Sequence, residues 1–354
     1  MSALKDRSFP INVPYYIPCD FPLISETLKS RGLYVSYTLL LNLDLVGLPV
    51  YFKDQELETM DMEIWYVNQL KYKGKFFSLS SQYFDDYSSA NDYLQHQLKE
   101  RKEPVICIGT TYYLPHSKDY IKKFGGHFLS VYEMDSSQAY VYDPVPHKYK
   151  GKVPIQDFEK FWKGAIKENK DFFKGTFGTI DVNIKQVPTV VTNLYFDTLK
   201  TVSYEFLKGQ ILKKKEGSYY YGKSCSQQLI NDLKQSVGMP PATLEVVSKC
   251  LFDMRWSRYF LRDLLQEVDY IYGDTYEILV ETLLKIIHQW ELAYIRYNHL
   301  VLRNQVSLNK VLPIIKLIQN TYHLEQRFHE ELYDRHSSYQ LLEKDSHFDK
   351  ENTL

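Results

Sequence analysis

Apolar positions recur along this chain with two different rhythms, and the change falls near residue 185. Before it, helical patterns alternate with short β runs. Phe21, Leu23, Ile24 and Leu28 make one apolar helical face that Gly32 closes as the residue after the C-cap. Tyr93, Leu94 and Leu98 mark another helix ahead of the strand Pro104–Ile108, and Pro154–Trp162 reads as a short third one. Between them, apolar runs at 127–133 and 137–143 read as a β-hairpin.

Beyond residue 185 the pattern is almost entirely helical. Leu261, Leu264, Leu265 and Val268 recur at helical spacing, as do Leu279, Leu283, Ile286 and Trp290, then Leu317, Leu324, Phe328 and Leu332; each set predicts a core-facing stripe. Lys213-Lys214-Lys215-Glu216-Gly217 reads as a solvated linker and Gly238-Met239-Pro240-Pro241 as a loop. The expected organisation is α+β: a mixed domain over 1–185, a helical domain over 186–345, and a frayed polar tail over 346–354.

Composition narrows the function classes. The chain has 354 residues and 44% hydrophobic content, enough for a large core in two domains. Its 43 basic and 44 acidic residues nearly cancel, and no basic stripe or zinc-knuckle spacing points to nucleic acid. The 31 tyrosines follow no fixed period and read as ordinary core and surface aromatics. No run of 18 apolar residues predicts a membrane span, and the opening MSALKDRSFPINVPYYIP lacks the apolar stretch of a secretory signal. Cys19, Cys107, Cys225 and Cys250 show no CxxC spacing, which fits a reducing cytoplasm, and no metal site is expected.

The chemistry gathers in Gly126-His127-Phe128 and Tyr142-Asp143-Pro144. A hairpin closed by the odd loop Met134-Asp135-Ser136 sets His127 opposite Asp143, with Cβ atoms roughly 5 Å apart, so that the carboxylate can orient the imidazole. A two-residue turn at Ser136-Ser137 would instead pair Asp143 with Ser130 and turn it to the other face. Cys19, in Pro18-Cys19-Asp20-Phe21-Pro22, opens an amphipathic helix, where free N–H groups and the helix dipole favour a thiolate. Asp20 opposes that anion, and the imidazolium of His127 would tip the balance back. Cys107, Cys225 and Cys250 read as small buried hydrophobes.

Cys19 at a helix start, Ser30-Arg31-Gly32-Leu33 at its end, Pro104-Val105-Ile106 leading to Tyr112-Tyr113-Leu114-Pro115, then Gly126-His127 and Tyr142-Asp143-Pro144, together resemble the N-terminal family of butirosin biosynthesis protein H. The likeness covers about residues 12–185, and the helical remainder resembles the region that often follows. It implies a papain-like core related to bacteriocin-processing cysteine peptidases, with Cys19 as nucleophile, His127 as base and Asp143 as its orienter. Val13 stands where papain-like enzymes commonly carry a glutamine, so Asn12 beside it is the expected oxyanion donor with the Cys19 backbone N–H.

The implied activity is transfer of an aminoacyl, peptidyl or acyl group from a carrier-protein thioester, through acyl-Cys19, to a small-molecule amine in antibiotic biosynthesis. The expected partner is an acyl carrier protein. No cofactor is expected beyond the phosphopantetheine that the carrier brings. A cysteine peptidase or amidase would use the same three residues, and a non-catalytic binding module on this fold is the third reading.

Overall fold

The structure, a computed structural model, describes residues 9–43, 48–54, 60–64, 76–164, 176–186, 191–213, 215, 217–273 and 276–348. In chain order these form α1 (Asp20–Ser30), α2 (Tyr37–Leu40), β1 (Pro49–Asp54), β2 (Met60–Ile64), β3 (Phe77–Gln82), α3 (Tyr87–His96), β4 (Val105–Thr110), β5 (Gly126–Met134), β6 (Gln138–Asp143), β7 (Tyr149–Pro154), α4 (Ile155–Lys163) and β8 (Gly178–Ile184). There follow α5 (Val191–Lys208), β9 (Ile211–Lys213), β10 (Gly217–Tyr221), α6 (Lys223–Gln235), α7 (Pro241–Asp253), α8 (Trp256–Tyr272), α9 (Glu277–Leu302) and α10 (Leu308–Phe348). The architecture is α+β, in two compact units: Met1–Leu40 with Asn68–Thr189, and Leu41–Val67 with Val190–Leu354.

The first unit is built on an antiparallel sheet of order β3-β8-β4-β5-β6-β7. One face carries Cys107, Leu129, Val131, Val141 and Val153, packed with Leu94, Phe158, Phe161 and Trp162 from α3 and α4. The approach of α4 is close enough that a side chain at Gly109, the partner of His127 across β4 and β5, would overlap the Phe161 carbonyl and ring. Glycine is therefore required there.

Helix α1 buries Phe21, Leu23, Ile24 and Leu28 as the spacing predicts, and Ser25, Glu26 and Thr27 are buried with them. Its end is a Schellman turn: Gly32, at φ +84°, donates its N–H to Lys29 O, and Leu33 donates to Leu28 O. Arg31 then anchors the helix end, donating to Val182 O and pairing with Glu103 at 2.6 Å.

The 127–143 hairpin forms by a different route from the odd loop expected. Asp135 donates its N–H to Gln138 O, so the turn is the two-residue Ser136-Ser137, held by Asp135 Oδ1, which accepts from the Ser137 and Gln138 N–H groups. That turn pairs Met134 with Ala139 and Glu133 with Tyr140. Between Glu133 and Val131 the ladder slips by one residue, and beyond this bulge Val131 pairs with Val141 and Ser130 with Tyr142. One further step brings Asp143 beside Leu129, which shares its face with His127.

In the second unit, β2-β1-β10-β9 make an antiparallel sheet. The expected division left 41–67 in the first domain and read the Lys213–Gly217 run as a linker. Instead β9 and β10 pair across that run, and β1 pairs with β10 from Val50↔Tyr221 to Asp54↔Gly217. The physical tie is the buried Asp232 of α6, which accepts from Tyr51 Oη and from Lys53 Nζ, both at 2.7 Å. The stripes on α8 and α9 are buried as predicted.

On α10 Phe328 and Leu332 are buried as predicted, whereas Leu317 and Leu324 only flank the line, which continues through Val311, Ile315, Ile318, Thr321 and Glu325. The apolar pattern missed the earlier turns because Thr321 and Glu325 are polar; Glu325 receives a two-pronged hydrogen bond from the buried Arg258, at 2.5 and 2.8 Å. Helix α10 runs to Phe348, so 346–348 are helical rather than frayed; the rest of the expected tail lies outside the described residues.

Candidate active site

The chain enters the site through a short extended arm. Phe9 stacks on Tyr142 at 4.8 Å between ring centroids, and Tyr142 Oη donates to Pro10 O at 2.6 Å, pinning the arm to β6. Nine residues after Pro10, Cys19 is the N-cap of α1, with helical backbone angles and no capping bond from its side chain. It is partly exposed, while Cys107, Cys225 and Cys250 are buried.

The structure brings three of the predicted residues together. His127 Nε2 bonds Asp143 Oδ1 at 2.9 Å, and Cys19 lies near enough to the same imidazole to favour its charged form. With Nε2 taken by the carboxylate, Nδ1 is the nitrogen left for the thiol. Asn12, expected as an oxyanion donor, is exposed and takes part in none of these hydrogen bonds; Val13 beside it is buried.

Burial is the largest influence on His127 and disfavours its charge. The Asp143 charge and hydrogen bond outweigh it, with help from Cys19, and push the imidazole pKa up to about 10. Burial likewise works to raise Asp143, but the His127 charge and three imidazole hydrogen bonds hold its carboxyl far below the usual range. The pair is thus a buried imidazolium and carboxylate. Asp20, beside the cysteine, goes the other way: burial raises its pKa to about 6, against two backbone hydrogen bonds.

Two of the groups on Asp143 escaped the sequence reading. His116 Nε2 bonds Asp143 Oδ2 at 2.8 Å, and His147 Nδ1 bonds the same oxygen at 2.9 Å. His116 lies flat on Tyr149, with ring centroids 3.9 Å apart, and His147 sets its edge against both His116 and His127. The available signals were slight: His147 follows Asp143 by four residues, and His116 directly follows the Tyr-Tyr-Leu-Pro run.

No family model matches the chain, and no curated protein matches it. The chemical reading therefore rests on the geometry. A partly exposed thiol lies at a helix N-terminus, against an imidazolium that a fully buried carboxylate orients. Such a group can add its sulfur to an acyl carbon and hand a proton to the leaving atom.

Proposed function

We propose that this chain is a papain-like cysteine acyltransferase that moves an aminoacyl, peptidyl or acyl group from a carrier-protein thioester to a small-molecule amine. The single observation that supports a thiol mechanism is the nearness of Cys19 to the His127 imidazole that Asp143 orients. The resemblance of its motifs to the butirosin biosynthesis family favours transfer over hydrolysis.

In this reading the Cys19 thiolate attacks the thioester carbonyl, and the Cys19 backbone N–H at the helix start receives the developing oxyanion. The carbon–sulfur bond to the carrier breaks, and the imidazolium of His127 protonates the departing thiol. Acylation removes the thiolate that helped to keep His127 charged. The neutral ring then takes a proton from the attacking amine, the amide forms, and Cys19 leaves as thiolate beside a restored imidazolium.

Intact-mass analysis after mixing with an acylated carrier protein tests this. The wild type is expected to gain one acyl mass, Cys19→Ala none, and an added amine should discharge the acyl group faster than water does. Cleavage of peptides with no reaction on carrier thioesters would establish the peptidase reading instead. Neither loading nor cleavage across a broad substrate panel would leave the binding module.

A further inference from the structure

A thiol–imidazole–carboxylate relay uses one imidazole, yet Asp143 receives three. Oδ1 serves His127, while His116 and His147 both crowd Oδ2. Their outer nitrogens, His116 Nδ1 and His147 Nε2, are buried and have no hydrogen-bond partner among the described residues. The relay therefore gives no reason for burying these two extra rings.

Their donor atoms do form a recognisable set. His116 Nε2, Asp143 Oδ2 and His147 Nδ1 lie within 4.8 Å of one another, on side chains only 9%, 0% and 4% exposed. A first-row dication with bonds of about 2.0–2.2 Å would seat among them once the two nitrogens, now 2.8 and 2.9 Å from Oδ2, draw back by roughly half an ångström. Two imidazoles and one carboxylate suit Zn²⁺ or Co²⁺ rather than Mg²⁺ or Ca²⁺, which prefer oxygen.

We infer that His116, Asp143 and His147 form an exchangeable binding site for a Zn²⁺-class dication. The stacking of His116 on Tyr149 fixes one ligand ring, and the edge contacts of His147 fix the other. Metal-bound histidines in tight sites donate their second N–H to an acceptor, and neither ring has such an acceptor here, so the ion exchanges rather than staying as a structural fixture. Binding at Oδ2 also draws charge from the carboxylate that orients His127. Metal binding itself does not depend on the proposed acyl transfer.

The test uses the full chain carrying Cys19→Ala, which removes the one partly exposed thiol that could bind metal with His127. After chelator treatment it is titrated with Co²⁺, followed by visible absorption, and then with Zn²⁺ in competition. One equivalent should bind, weakened about tenfold or more by His116→Gln or His147→Gln and little changed by His127→Gln. Glutamine keeps a donor toward Asp143 but is a poor ligand, and circular dichroism in chelator checks folding. Should these variants misfold, proton NMR of the Co²⁺-loaded Cys19→Ala protein should show two hyperfine-shifted exchangeable imidazole protons. Absence of Co²⁺ binding, equal affinity in both glutamine variants, or lack of the paired imidazole signals would each overturn the site.

Discussion

His127 and Asp143 meet at 2.9 Å because Tyr132 is left unpaired between them and the turn. The tight turn at Ser136-Ser137 sets a register in which Asp143 would face away from His127. The bulge shifts that register by one residue and returns both side chains to one face.

Excising Tyr132 should therefore leave the pairing intact. The ladder then runs continuously from the two-residue turn with Glu133 still on Tyr140 and Val131 still on Val141, so Asp143 stays beside Leu129 and His127. Excising Ser130 instead keeps the bulge and brings Phe128 beside Asp143, which turns His127 to the other face. The downfield His127 Nε2 proton should persist in the NMR spectrum of the first variant and vanish from that of the second; the reverse pattern would show that the bulge does not control the pairing.

Among the four cysteines, Cys19 should be alkylated first by iodoacetamide near neutral pH. Cys107, Cys225 and Cys250 are buried, and burial pushes the Cys107 thiol well up and that of Cys225 up to about 12. Mass mapping after a brief exposure decides the order, and earlier labelling of any other cysteine would remove Cys19 from the mechanism.

Asp143 should matter to stability as well as to chemistry. Asp143→Ala strips the acceptor from three buried imidazoles, at about 1–3 kcal/mol for each donor left unpaired, so a loss of about 3 kcal/mol or more is expected in urea unfolding. Asp143→Asn keeps the volume and one acceptor oxygen and should lose less. In loading assays His127→Ala should slow the reaction by about 10²–10⁴-fold, with Asp143→Asn retaining part of the activity.

The buried carboxyl of Asp20 predicts a pH effect of defined sign. Its folded pKa of about 6 lies above the ordinary 3.8, so between these values the folded chain holds more protons than the unfolded one. Its contribution to stability is fully present below the lower value, falls as pH rises through the window, and is lost above it. Asp20→Asn should match the wild type near pH 4 and exceed it by up to about 3 kcal/mol at neutral pH, at 1.36 kcal/mol per pKa unit. Urea unfolding at both pH values measures the difference.

Much of the secondary structure was readable from local pattern. Gly32 ends α1 because a positive φ is needed there, and the stripes of α8 and α9 face inward because an apolar helix face must be covered. The α10 stripe was right at Phe328 and Leu332 and misread before them, because Glu325 looks solvent-bound until Arg258, 67 residues away in sequence, is seen to neutralise it. Residues 49–54 were assigned to the wrong unit for a similar reason: their partners at 217–221 and Asp232 are distant in sequence.

The sequence by itself determined the residue types of the candidate site: a cysteine before a helix, a histidine opening one strand, and an aspartate ending the next. Periodicity and cap chemistry act over a few residues, and so does their legibility. Only the tertiary structure decided that the histidine and aspartate share a face, since a one-residue bulge inverts every side chain beyond it and leaves little mark on composition. It alone gathered His116 and His147 at Asp143 Oδ2, because the low-dielectric interior that makes such a cluster matter exists only once β5, β6 and their flanking loops have closed around it.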